Sequence, residues 1–248
     1  MKVHFLGTNG WFNSSTGETP CVLIEAAEGY IICDAGNGLR KIDRIITDSS
    51  KPIALFLSHF HLDHTFGLHL LPKFHFPQGI AIYGQPGTKD HLRALLASPW
   101  TAPMDKLQMK VAIHECNEGD HQLPVLFTCR FLVHSDPCLG YRFALEGKTV
   151  TYCTDTGVCD GLRSLANRAD LLITECSWRR PNQNPQWPHL APEDAATVAR
   201  DAKIGQLALI HFDANTYTTA NDRSDAQCRA QAIFPASRAM PDDSVIQL

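Results

Sequence analysis

Ser58-His59-Phe60-His61-Leu62-Asp63-His64 sets four potential metal donors close together: His59, His61, Asp63 and His64. Imidazole and carboxylate together suit zinc, manganese or iron, so the chemistry indicated is that of bound divalent cations. The donors follow the apolar run Pro52-Ile53-Ala54-Leu55-Phe56-Leu57, which reads as a buried strand. They precede Thr65-Phe66-Gly67-Leu68-His69-Leu70-Leu71, which reads as the start of a helix. A strand end feeding a helix start is where α/β sheets place their chemistry. In extended backbone alternate side chains share a face, so His59, His61 and Asp63 can point one way. The turn into the helix can then swing Asp63 and His64 toward a second point. A lone His-x-His is commonly a pair of loop histidines, but four donors directly behind a buried strand are hard to reach by chance.

This His-x-His-x-Asp-His pattern resembles the hallmark of the metallo-β-lactamase superfamily, and further donors stand in the family's order. His134 ends the apolar run 125–133, Asp155 follows Tyr152-Cys153-Thr154, and His211 ends Leu207-Ala208-Leu209-Ile210. The resemblance implies an α/β chain (α+β) folded as a four-layer αβ/βα sandwich of two mixed sheets. It implies a metal-dependent hydrolase with two divalent ions, zinc first and manganese or iron as alternatives. His59, His61 and His134 would hold the first ion, Asp63, His64 and His211 the second, and Asp155 would bridge them. Asp34 would anchor the metal loop without being a ligand. Such ions lower the pKa of a coordinated water to roughly 7, and two of them about 3.5–4 Å apart can clamp both oxygens of a hydrolytic displacement.

Thr174-Glu175-Cys176 and Pro188-His189-Leu190-Ala191 resemble the corresponding stretch of the ribonuclease Z and cyclic phosphodiesterase branch. There a Glu orients a His that touches the phosphate or protonates the leaving oxygen, a task suited to a carboxylate-oriented imidazole. The implied catalytic residues are therefore Asp63, Glu175 and His189. Ribonuclease Z enzymes generally carry a long arm between the third His and the bridging Asp. Here only positions 135–154 lie between them, filled by a hairpin. The favoured substrate is accordingly a small phosphodiester, a cyclic nucleotide or cyclic sugar phosphate. A tRNA 3′ endonuclease and a carbon-ester hydrolase (lactonase or thioesterase) are the alternatives. Arg179 and Arg180 read either as phosphate contacts or as surface arginines on a Pro-rich loop.

The elements that position these groups fit one domain over 1–248, with 44% hydrophobic and 19% charged residues. A net charge of −4 gives no global attraction to nucleic acid. Nine cysteines without paired spacing suit a reducing cytoplasm, with Cys21, Cys33, Cys129 and Cys153 packed as small hydrophobes. No run is long and apolar enough for a membrane span, and the first residues read as a strand rather than a signal peptide. Family relatives are often dimers, which implies pairing with a second copy by analogy alone.

Strands are predicted over 3–6, 21–25, 30–33, 80–83, 140–145, 149–151, 171–173, 206–210 and 244–247. Helices are predicted over 39–46, 90–97, 162–167, 192–202 and 225–233. Trp11 and Phe12 read as a substrate wall or as packing on a neighbour. The 98–104 loop with Trp100 reads as a lid, a subunit contact or a plain turn. His114-Glu115-Cys116 and Asp120-His121 are assigned to a loop around the turn signal Asn117-Glu118-Gly119-Asp120, and not to a second metal cluster.

Overall fold

Alternation along the strands decides the layering. Val22 and Ile24, Ile31 and Cys33, and Ala54 and Phe56 point into one buried cluster, while Cys21 and Leu23, Tyr30 and Ile32, and Ile53 and Leu55 point into another. A sheet apolar on both faces must be covered on both. In the computed structural model, which describes residues 1–181, 184 and 186–248, this is how the chain is arranged. One seven-stranded sheet runs in the order Ser244–Gln247, Lys2–Gly7, Cys21–Glu25, Tyr30–Cys33, Ile53–Phe56, Ile80–Gly84, Val111–Glu115. The other runs Ser237–Ala239, Gln206–Ile210, Leu171–Glu175, Lys148–Cys153, Cys138–Leu145, Phe127–Leu132, Gly119–His121. Both are mixed, with an antiparallel part joined to a parallel one.

The sheets face each other across a core that includes Phe5, Phe56, Phe127, Tyr141, Phe143 and Tyr152. Phe56 is its hub, with ring centroids 4.9 Å from Tyr83, 5.0 Å from Phe127, 5.1 Å from Tyr141 and 4.9 Å from Phe143. Leu39, Ile42, Leu68, Leu71 and Leu92 cover the outer face of the first sheet from helical segments Asn37–Arg44, Phe66–Lys73 and Thr88–Leu95. Helices Asp160–Ala166, Pro192–Asp201 and Ala220–Gln231 cover the second with Leu162, Leu165, Ala195, Ala199, Ala226 and Ala230. The result is the four-layer αβ/βα sandwich. The parallel strands Tyr30–Cys33 and Ile53–Phe56 of one sheet, and Lys148–Cys153, Leu171–Glu175 and Gln206–Ile210 of the other, end where the donors stand.

Some expectations shift. The segments over 37–44 and 66–73 are 3-10 rather than α, and a short α-turn, Leu62–Thr65, starts earlier than the predicted helix and takes in Asp63 and His64. The last long helix starts at Ala220, because Thr219 and Asp222 form a capping box ahead of it. His114 and Glu115 lie on the edge strand Val111–Glu115, and Asp120 and His121 on Gly119–His121, which corrects their assignment to a loop. The turn signal between them is real but shorter, since the chain there crosses from one sheet to the other. His114 stacks on Tyr83 and His121 on Phe127. Trp100 is 78% exposed and lines a surface groove with Phe60, His91 and Leu95. All nine cysteines are free, and no described helix is long and apolar enough to cross a membrane.

Candidate metal centre

The donor loop leaves the Ile53–Phe56 strand and is held from across the core. Tyr141 donates its hydroxyl to Leu57 O at 2.6 Å, and Leu139 N–H donates to Ser58 O at 2.8 Å. The structure brings together all seven residues named as donors from the sequence. His59, His61, His134 and Asp155 form one group and Asp63, His64 and His211 a second, the candidate ligand atoms of each group lying within 4.8 Å of one another. Asp155 stands between them. Its Oδ2 lies 3.9 Å from His59 Nε2 and 3.8 Å from His134 Nε2, and its Oδ1 lies 3.3 Å from His64 Nε2 and 3.1 Å from His211 Nε2.

The nitrogen chemistry fits cations at this place. Asp34 Oδ2 lies 2.7 Å from His64 Nδ1, and Asp136 Oδ2 lies 2.8 Å from His61 Nε2. A carboxylate only accepts, so these nitrogens carry the proton and the opposite lone pairs face the cluster. Ser177 Oγ donates to His211 O at 2.9 Å and receives His211 Nδ1–H at 3.1 Å, with the same consequence. In the neutral tautomers the lone pairs of His64 Nε2 and His211 Nε2 confront each other at 3.1 Å, and His61 Nδ1 presents its own to His134 Nε2 at 3.3 Å. His59 Nε2 is buried and has no hydrogen-bond partner among the described residues. A shared positive ion resolves each of these contacts.

Electrostatics agree. Burial pushes His59 well below the usual histidine range, aided by His64, which leaves its lone pair free. Burial pushes His64 down too, but the charges of Asp155, Asp63 and Asp34 outweigh it and hold it well above that range. Asp63 and Asp155 are correspondingly kept well below the carboxylate range by the histidines, against the effect of burial. A field that favours a proton there favours a divalent cation.

Asp34 supports the loop from beneath, as the sequence reading expected. It accepts Ser58 N–H at 2.7 Å, Ser58 Oγ–H at 2.8 Å and Tyr152 O–H at 2.7 Å in addition to His64. Trp11 N–H donates to Asp63 Oδ2 at 2.8 Å. Gly10 beside it lies against the His211 ring, where a Cβ would come within 2.6 Å. Four of the residues concerned have left-handed backbone: Trp11 (φ 72°), Asp34 (φ 59°), Asp155 (φ 49°) and His211 (φ 50°). Non-glycine residues rarely adopt it, and its concentration here marks backbone bent to aim side chains.

A cavity of about 730 Å³ opens over the cluster, with Trp11, Trp178, Trp187, His189 and Asp213 among its walls. His189 Nδ1 donates to Glu175 Oε1 at 2.7 Å, and the same oxygen accepts Thr156 N–H at 2.5 Å. Burial would push His189 down, but the charge and hydrogen bond of Glu175 raise it to about 9. Phe12 packs edge-on against Trp11 at 5.2 Å and is not a cavity wall. Arg179 donates to Thr216 O at 2.7 Å and Asp222 Oδ1 at 2.6 Å, so it braces its loop. Arg180 is exposed on the same loop, of which positions 182, 183 and 185 lie outside the described residues. Sequence reasoning missed Asp136, Ser58, Ser177 and Tyr152. Asp136 alone left a signal, a carboxylate two positions beyond His134.

Residues 30–212 match the family model described as a beta-lactamase superfamily domain. A ribonuclease Z of Microcystis aeruginosa is 28% identical over 308 aligned positions, covering 98% of this chain and 94% of the relative. That alignment is longer than the 248 residues here, so the relative carries segments this chain lacks. The metallo-β-lactamase fold protein YhfI from Bacillus subtilis superposes with a TM-score of 0.81 at 21% identity, over 99% of this chain and 98% of that one. A diphosphatase of the PhnP family superposes with a TM-score of 0.77 at 15% identity, over 100% and 97% of the two chains. With the family match spanning most of the chain and a His/Asp cluster at its centre, this chain belongs to the metallo-β-lactamase superfamily, on its ribonuclease Z-like side, and is a metal-dependent hydrolase.

Proposed function

We propose that residues 1–248 act as one hydrolase domain that cleaves small phosphodiesters, cyclic nucleotides or cyclic sugar phosphates. His59, His61, His134 and Asp155 would hold one divalent ion, Asp63, His64 and His211 a second, with Asp155 shared. Zinc suits this donor set, as do manganese and iron. When bound, such ions supply Lewis acidity toward phosphoryl oxygens and an activated water.

The observation that carries the reading is the Glu175–His189 pair at the cavity wall, 2.7 Å apart and buried. An alkoxide leaving group needs a proton as the P–O bond breaks. Glu175 keeps His189 Nδ1 engaged and the ring protonated at neutral pH, so its other nitrogen can deliver that proton. Asp63, its Oδ2 fixed by Trp11 N–H at 2.8 Å, would take the proton of the attacking water. The PhnP-family diphosphatase among the fold neighbours fits phosphorus chemistry.

A second reading, cleavage of tRNA 3′ ends, is favoured by the Microcystis relative's name. Against it, positions 135–154 hold the paired strands Cys138–Leu145 and Lys148–Cys153, joined at Glu146-Gly147, where an RNA-gripping arm would have to emerge. The test is a substrate panel on metal-analysed protein: cyclic nucleotides, bis(p-nitrophenyl) phosphate, a lactone, a thioester and a pre-tRNA. Turnover of cyclic phosphodiesters is expected. Robust pre-tRNA cleavage with cyclic nucleotides untouched would overturn the first reading in favour of the second.

A further inference from the structure

Three of the chain's four tryptophans, Trp11, Trp178 and Trp187, line the cavity over the donor cluster. Trp178 is support: its ring meets His189 edge-on at 6.2 Å and its indole nitrogen is buried. The other two are open to water, Trp11 being 65% and Trp187 49% exposed. Indole is among the largest apolar groups a chain can bury, so two left open at one cavity invite a partner.

Their placement is specific. Trp11 stands at the second donor group through its N–H on Asp63, and Trp187 stands at the first, its ring 6.3 Å from His134 and 6.1 Å from His189. The Trp11 loop is fixed. Gly10 is closed against His211, and buried Arg223 donates to Thr8 Oγ1 at 2.8 Å and to Asn9 Oδ1 from below. Trp11 holds a left-handed φ of 72° that glycine would adopt with less strain. A rigid, strained loop thus carries an exposed indole at the cavity mouth.

We propose that Trp11 and Trp187 are stacking surfaces for an aromatic ring of the substrate, and that this ring is a nucleobase on a small nucleotide. Every base offers a π-face to an indole, whereas a bare sugar or glycerol does not. Asp213, Asn215 and Thr216 line the same cavity and supply polar groups for the edge of the ring. A net charge of −4 gives no long-range pull on a nucleotide, so contact must supply the affinity. This inference rests on the phosphodiester reading and narrows it to nucleoside-bearing substrates.

The test compares adenosine 2′,3′-cyclic phosphate with glycerol 1,2-cyclic phosphate as substrates. Trp11→Gly removes the ring yet keeps the amide that holds Asp63, and Trp187→Leu and Trp187→Phe complete the set. The wild type should favour the adenosine substrate in kcat/KM. That preference should fall about tenfold or more, through KM, in the Gly and Leu variants and return with Phe. In metal-free protein, adenosine 5′-monophosphate should quench tryptophan fluorescence where ribose 5-phosphate does not. Cleavage of a pre-tRNA that is sensitive to the same substitutions keeps the stacking but assigns the base to RNA. Equal use of both cyclic phosphates, with an unchanged ratio in the variants, overturns the stacking and leaves the phosphodiester reading standing. Turnover of no phosphodiester by the wild type sinks that reading, and the inference with it.

Discussion

Replacing Asp34 by asparagine withdraws one charge and one acceptor from the point where four donors meet. If the new amide nitrogen takes the place of Oδ2, it faces Ser58 Oγ, His64 Nδ1 and Tyr152 O–H, which lie 2.8, 2.7 and 2.7 Å from the present oxygen. If it takes the place of Oδ1, it faces Ser58 N–H, now 2.7 Å away, and this costs less. One stranded buried donor costs about 1–3 kcal/mol. The surviving bonds lose their charge assistance, which is worth roughly half of each, while relief from burying a carboxylate returns a part. The sum is about 2–4 kcal/mol, or about 5–15 °C in melting temperature for a chain of this size. His64 also loses the partner that sets its tautomer, so divalent-ion affinity should fall about 10–100-fold. Chelator-competition titration with zinc and a thermal melt of the metal-free protein read the two effects separately. An Asn variant that melts like the wild type and binds zinc as tightly would refute the assignment of Asp34 as the anchor.

Other consequences are equally open to measurement. Gly10→Ala drives a Cβ to within 2.6 Å of the His211 ring, so metal analysis should show less than the wild-type loading, and full loading would contradict this packing. Phe56→Ala empties the hub of the aromatic core and should cost about 3–5 kcal/mol in urea denaturation, a loss under about 1 kcal/mol arguing against that role. His189 has a folded pKa raised from 6.5 to about 9, so its contribution to stability is complete below pH 6.5 and is lost as pH rises through about 9. In chelator-treated protein Glu175→Gln should remove that contribution, so that the stability gap to wild type narrows across this window. A gap that stays flat with pH would exclude the coupling.

The donor types, their order and their attachment to strand ends were all legible, because apolar runs announce buried strands and polar residues at their ends must face something. Backbone hand was not. Asp and His enter the left-handed region more readily than most residues, but nothing in the letters picks out Asp34, Asp155 or His211, since tertiary packing imposes it where the chain leaves each strand. Asp136 left a signal only in its place two positions beyond His134, and its pairing with His61 was not legible because the two meet across the sheets, far apart in sequence. The turn at 117–120 was read correctly as a break. Its consequence, a crossing between sheets rather than a loop, depends on pairing partners that local propensity cannot name. The Glu175–His189 contact was anticipated from resemblance, whereas Trp187 as a cavity wall was not.

Asp155 turns one oxygen to each group of donors, whereas Asp63 stands with the second group alone. Occupancy of either group therefore changes the charge felt by the other, and the two affinities are thermodynamically reciprocal. A protein built this way has no independent dial for each half of its centre. Any substitution that retunes one half is read out in both.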